Sequence, residues 1–112
     1  MAMNMNDTPR LQWQHAGTLY HPDGGDWSKT KHEAEATWRT PHGPGRYRIW
    51  HESSIRGGGY CYSVVRLKPS TGTLNGHPRK FSGYLLEDAA FTMAQAMAIA
   101  EADNVRLSGA RP

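Results

Sequence analysis

Two strand-like runs joined by a glycine-rich loop dominate the middle of the chain, between Gly45 and Lys68. Apolar and polar side chains alternate along both runs, which is the pattern of strands that bury one face. The segment between them, residues 53–59, ends in three glycines and is longer than a two-residue hairpin turn. The sequence therefore predicts an antiparallel hairpin with one apolar face and one polar face.

The alternation assigns the side chains of this hairpin to its two faces. The predicted core face is apolar and consists of Tyr47, Ile49, Cys61, Val65 and Leu67. The predicted outer face combines cations with aromatic rings and consists of Arg46, Arg48, Trp50, Tyr60, Tyr62, Arg66 and Lys68. This assignment depends on the pairing register, because a shift of one residue exchanges the faces of a strand.

Shorter strand signals lie on either side of the hairpin. Alternating apolar residues predict one strand around residues 11–15 and another over 34–39, and residues 81–86 are a candidate fifth strand. Proline and glycine predict a loop over 21–31 and turns over 40–45, 69–72 and 75–78.

A helix is predicted at the end of the chain, beginning at Met93 and ending near Asn104. Thr92 and Gln95 have the spacing of a capping box, and Phe91 stands where a hydrophobic staple would place an apolar residue. An apolar stripe at helical spacing is formed by Met93, Ala96, Met97 and Ala100.

Strands followed by one helix predict an α+β fold, in which an antiparallel sheet has the C-terminal helix packed on one face. We expect four strands, with five as the alternative, and one sheet face left open. The expected domain covers residues 10–105, with flexible tails at 1–9 and 106–112. Three methionines among the first five residues leave the start codon open.

The length of 112 residues suits a single small domain. No apolar run is long enough to span a membrane, and the first residues lack the apolar region of a signal peptide. A single cysteine excludes an internal disulfide and makes the cytoplasm the expected location.

Positive charge is concentrated in the sheet-forming part of the chain. Residues 46–80 contain seven Lys or Arg and one acid, whereas residues 81–105 contain four acids and no Lys or Arg. Such a region can attract nucleic acid or another polyanion, and the alternative is an ordinary solvated surface.

Motifs for catalysis or metal binding are not recognisable. The segment from His21 to Asp26 matches neither a calcium loop nor a zinc motif, and no phosphate-loop signature follows the three glycines. Cys61 is expected to pack as a small apolar residue. We therefore predict no metal, no cofactor and no enzymatic activity.

The order of these motifs resembles a pattern in small uncharacterised phage and prophage proteins. It is carried by Leu11-Gln12-Trp13, Ala36-Thr37-Trp38, Gly45-Arg46-Tyr47-Arg48-Ile49, Tyr60 to Val65, and Phe91-Thr92 through Ala96 to Ala100-Glu101. At the level of fold, strands followed by a helix also resemble the AP2-type DNA-binding domains and the arm-binding domains of phage integrases. That resemblance implies DNA binding through the sheet face.

Two functional hypotheses follow for the predicted outer face. In the first, its cations bind phosphates and its aromatic rings stack on the bases of DNA or RNA. In the second, the same aromatic residues anchor a host protein, as expected of an accessory or inhibitor factor from a phage or mobile element. A homodimer formed through an exposed edge strand is a related possibility.

Overall fold

A computed structural model describes residues 10–20, 27–54, 61–78 and 80–109. The described residues form seven strands and one helix. These are β1 (Gln14–Tyr20), β2 (Trp27–Thr40), β3 (Gly43–Ser54), β4 (Cys61–Pro69), β5 (Thr73–Leu74), β6 (His77–Pro78), β7 (Phe81–Ala90) and α1 (Met93–Leu107).

Five of the strands form one antiparallel sheet in the order β1-β2-β3-β4-β7. The other two, β5 and β6, form a separate short hairpin around Asn75 and Gly76, which both have positive φ angles. Helix α1 packs on one face of the five-stranded sheet. The predicted α+β fold is confirmed, and the alternative with five strands is the correct one.

Strands β2 and β3 are longer than their sequence signals predicted. Residues 27–31 belong to β2, whereas the sequence predicted a loop there; residues 21–26 lie outside the described chain. The predicted turn over 40–45 contracts to residues 41–42. Thr40 organises this tight turn, because its hydroxyl accepts from the His42 amide and donates to the Gly43 carbonyl.

The core lies between the sheet and α1, on what we call the helix face. Tyr47, Ile49 and Val64 are fully buried there. From the helix side, Ala96 and Ala100 are fully buried against them, as the apolar stripe predicted. Small side chains at these two positions let the helix backbone approach the sheet closely.

The start of α1 confirms the predicted cap but not the staple. The Thr92 hydroxyl accepts from the Gln95 amide at 3.0 Å, while the Gln95 side chain accepts from the Phe91 amide rather than from that of Thr92. Phe91 is 79% exposed, so its predicted role as a hydrophobic staple is wrong. Ala90 is the residue at this junction that is buried in the core.

The helix also continues past its predicted end at Asn104, as far as Leu107. Asn104 is fully buried and bonds both the amide and the hydroxyl of Thr37 on β2. Leu107 packs against the core. These contacts hold the last turn of the helix on the sheet, so residues 106 and 107 are part of the folded unit.

A buried polar network ties α1 to the middle of the sheet. The Trp38 indole donates to the Tyr47 hydroxyl at 2.9 Å, and that hydroxyl donates to the Asp103 carboxylate at 2.6 Å. Arg106 donates to the other oxygen of Asp103, and Arg66 approaches the carboxylate at 3.5 Å. Burial, together with donation to Asp103, raises the pKa of Tyr47 above its ordinary value.

Candidate nucleic-acid interface

The pairing of β3 with β4 decides which side chains share a face. Tyr47 lies opposite Arg66, Ile49 opposite Val64, and His51 opposite Tyr62. Opposed residues in an antiparallel pair point to the same side, so the odd-numbered residues of β3 share a face with the even-numbered residues of β4. The sequence-based assignment of β4 was therefore inverted.

Three predicted members of the outer face consequently lie on the helix face: Tyr62, Arg66 and Lys68. Val65 and Leu67, predicted for the core, lie on the opposite side. We call that side, which lies opposite the face that α1 covers, the open face. Tyr60 lies outside the described residues, and the side chain of Cys61 is likewise not described.

The side chains of Arg66 and Tyr62 are engaged on the helix face. Arg66 is 12% exposed, and its guanidinium lies near Asp103 and 4.8 Å from the centre of the Tyr84 ring. Tyr62 stacks on His51 with ring centres 4.3 Å apart and planes nearly parallel. Neither side chain is placed to touch a ligand on the open face.

The remaining predicted residues of β3, Arg46, Arg48 and Trp50, do lie together on the open face. Strand β2 adds two cations that the sequence did not assign, because Lys31 lies opposite Trp50 and Lys29 is its neighbour on the same side. In the sequence, Lys29 and Lys31 alternate with Thr30 and His32, and this period of two was the signal that both lysines share one face of a strand. We call this set the cationic patch: Lys29, Lys31, Arg46, Arg48 and Trp50.

Three cations of the patch surround the half-buried ring of Trp50. The ammonium groups of Lys29 and Lys31 lie 4.7 Å and 5.7 Å from the ring centre, and the Arg48 guanidinium lies 5.7 Å from it. Each contact of this kind contributes about 0.5–1 kcal/mol at an accessible site. The ring and the cations therefore hold one another in place on the sheet surface.

Glu33 fixes the two arginines of the patch. Its carboxylate accepts from Nε of Arg48 at 2.6 Å and lies 2.6 Å from Nη2 of the same residue, while Arg46 approaches at 3.6 Å. The ion pairs orient both guanidinium groups and also offset part of their charge.

A shallow cavity of about 140 Å³ opens beside Trp50, between β1 and β2. Its wall includes Ala16 and Gly17, where the β1–β2 register shifts, together with Lys31. Gly17 has a φ of +134°, and a side chain there would meet open space. Because Gly17 has no side chain, this wall of the cavity stays open.

The other half of the open face, on β4 and β7, is apolar. Leu67 is buried and Leu85 is 52% exposed. Gly83 of β7 lies opposite Leu67, and a β-carbon there would come within 3.2 Å of Val65. The open face is thus divided into a charged half, where Glu33 and Glu35 share the surface with the four cations, and an apolar half.

In the described part of the chain, no group of three or more His, Cys, Asp or Glu side chains could hold a metal ion. His15 and His32 meet edge to face, and the pKa of His32 is lowered by burial and by the neighbouring His15 and His51. Among the described residues, no helix has the length and apolar character needed to cross a membrane.

No protein-family model, curated protein or solved structure gives a significant match to this chain.

Proposed function

We propose that this protein is a small, non-enzymatic, cytoplasmic binding module that engages single-stranded DNA or RNA through the cationic patch. One observation carries the proposal. Trp50 lies on the sheet face opposite α1, with three cations within 5.7 Å of its ring centre. Proteins that bind single strands without strict sequence preference combine these two elements, cations that follow the backbone and aromatic rings that stack on bases.

Binding would replace the cation–π contact between Lys29 and Trp50 with a stronger contact, in which a base stacks on the Trp50 ring. A base that stacks on an aromatic side chain contributes about 1–3 kcal/mol, whereas each exposed cation–π contact contributes about 0.5–1 kcal/mol. The base takes the position of the Lys29 ammonium over the Trp50 ring, and the lysine swings to the adjacent phosphate. Lys29 and Lys31 then neutralise phosphates that flank the stacked base.

A single strand suits this surface better than a duplex. The patch lies on a sheet face with a shallow cavity, and no helix or ribbon projects from it among the described residues. Many proteins read a duplex by placing such a projecting element in the major groove. Unpaired bases, in contrast, can lie flat on Trp50. The resemblance to AP2-type and integrase arm-binding domains supports the use of the sheet face, although those domains bind duplex DNA.

The test compares two lysines of the sheet that lie on opposite faces. Lys31→Glu places a negative charge beside Trp50, and we expect it to lower the affinity for a single-stranded oligonucleotide about tenfold. Lys68→Glu makes the same charge change on an exposed residue of the helix face, and we expect an affinity within twofold of the wild type. Fluorescence anisotropy with labelled oligonucleotides measures both.

Trp50→Ala separates stacking from charge, and we expect it to weaken binding by a similar factor at unchanged net charge. Equal affinities of the Lys31→Glu and Lys68→Glu variants would contradict the proposal. So would wild-type binding that is tighter for duplex than for single strands. Thermal denaturation of each variant checks that the fold is retained.

A second candidate, a protein-binding accessory or inhibitor factor of phage or mobile-element origin, rests on a different surface. Phe91 is 79% exposed and borders a wide, shallow depression between β7 and α1, lined mainly by apolar side chains such as Ala90 and Ile99. Exposed aromatic residues are common anchors in protein interfaces. Capture of one host protein that resists nuclease treatment and is lost in Phe91→Ser would favour this function over the first.

A further inference from the structure

Strand β7 is a free edge of the five-stranded sheet. It is ten residues long, and its far side has no partner among the described strands. Two large side chains on it are exposed, Tyr84 by 62% and Leu85 by 52%. A long edge strand with exposed apolar side chains is a template for pairing with another chain, unless the edge is protected.

The two edges of the sheet differ in protection. On β1, the register shifts between His15 and Gly17, which interrupts a regular row of backbone groups. On β7, residues 81–85 pair one for one with β4, and irregular pairing begins only beyond Leu85. In that later part, the Glu87 carboxylate accepts from the amides of Asp88 and Ala89 at 3.1 Å. These two amides are therefore already hydrogen-bonded to a side chain of the same strand.

The charge along β7 favours one type of partner. The strand is preceded by Lys80, contains no cation, and has the acidic pair Glu87 and Asp88 near its end at Ala90. If a second copy of β7 paired in parallel, like charges would lie side by side. In an antiparallel pair, the basic start of each strand lies beside the acidic end of the other. Antiparallel pairing is therefore self-complementary at both ends of the contact.

We propose that two copies of this chain form a homodimer by antiparallel pairing of β7 with its partner's β7. The two-fold axis runs perpendicular to the sheet, near Gly83 and Tyr84, and produces a continuous ten-stranded sheet. Such an axis keeps each face of the sheet on its own side. Both helices then lie on one face, and both cationic patches lie on the other.

This geometry places the two β3 strands five strand spacings apart, which is about 24 Å. The two patches of the dimer are thus arranged along one surface. The dimer goes beyond the proposed function and does not depend on it, because β7 contributes no residue to the cationic patch.

Leu85→Lys tests the dimer by adding a charge to the free edge. Sedimentation equilibrium of the wild type is expected to give twice the mass of one chain at tens of micromolar, and Leu85→Lys the mass of a single chain. Ala94→Lys, a matched change at an exposed helix position, is expected to remain dimeric. A single-chain mass for the wild type throughout this range would overturn the proposal, as would an undiminished dimer of Leu85→Lys.

Two variants with opposite charge reversals distinguish loss of the interface from misfolding. Lys80→Glu places acids together at both ends of its own dimer, and Asp88→Lys places lysines together. Each variant alone is expected to be mainly monomeric, whereas an equimolar mixture is expected to form the heterodimer. Recovery of that dimer in the mixture requires two folded chains. If mixing leaves both variants monomeric, or if each dimerises alone as well as the wild type, antiparallel β7 pairing is wrong.

The proposed dimer and the proposed nucleic-acid interface can be tested independently of each other. Lys31→Glu is expected to leave the mass of the dimer unchanged, since Lys31 lies on β2, away from the edge formed by β7. Leu85→Lys is expected to keep a measurable affinity for a short oligonucleotide that spans a single patch. Loss of the dimer in Lys31→Glu would contradict the β7 interface. It would not contradict nucleic-acid binding by the cationic patch, which the oligonucleotide measurements test separately.

Discussion

Replacing Asp103 by alanine is expected to lower the free energy of unfolding by about 3–5 kcal/mol, the usual cost of removing one partner from a buried ion pair. Asp103 is 7% exposed and accepts from the Tyr47 hydroxyl and from Arg106, with Arg66 close by. Without the carboxylate, the hydroxyl loses its acceptor and the largely buried Arg66 loses its counter-charge. Urea denaturation measures the change.

Two milder variants locate the source of this effect. Arg106→Ala removes a partner that is 63% exposed, and we expect a loss of at most about 1 kcal/mol. Tyr47→Phe removes one hydroxyl from the centre of the network, and we expect a loss of about 1–2 kcal/mol. If Asp103→Ala were no more destabilising than Arg106→Ala, the buried side of the network would not stabilise the fold.

Replacing Gly45 by alanine is expected to destabilise the fold by about 3 kcal/mol, at the upper end of the usual cost of overpacking a core. Gly45 is buried, and a β-carbon there would overlap the six-membered ring of Trp38. The indole cannot easily turn away, because its nitrogen donates to Tyr47 and its ring packs edge-on against the tyrosine ring. Thermal or urea denaturation measures the loss.

Gly72→Ala is the matched control for this substitution. Gly72 is exposed, and its β-carbon would make only an ordinary contact at 3.5 Å. Surface changes of this type usually alter stability by less than about 0.5 kcal/mol. Equal stabilities of the two alanine variants would show that Trp38 yields to the added methyl group and that its position is not fixed by the network.

The framework of the fold was predictable from local patterns. Alternation marked the strands around Trp38 and Ile49, and the Thr92 cap with its alanine stripe marked the start and the buried side of α1. These features depend on neighbouring residues along the chain, so a single sequence contains them. The order of elements then led to the α+β architecture.

The faces of β4 were not predictable in the same way. Its register on β3 depends on how the chain passes through residues 55–60, which lie outside the described structure. Val64 and Val65 are neighbours and both apolar, so the alternation of apolar and polar residues did not select which face of β4 is buried. A shift by one residue consequently exchanged Arg66 and Tyr62 with Val65 and Leu67.

Polar residues with structural roles were missed for a related reason. Asp103 and Asn104 lie near the end of a helix whose buried stripe was traced only through apolar residues, yet both are buried against β2 and β3. Lys29 and Lys31 were assigned to a loop because Pro22 and the glycines that follow predicted one. Contacts between distant parts of the chain override such local signals.

The salt dependence of binding to a single-stranded oligonucleotide tests the role of the cationic patch most directly. The two lysines that contact phosphates predict a slope of about −1 to −2 when the logarithm of the binding constant is plotted against that of the salt concentration. The variant with Lys29→Glu and Lys31→Glu is expected to bind much more weakly and with a slope closer to zero. A wild-type affinity that does not change with salt, or a slope that the double substitution leaves unaltered, would contradict binding through this patch.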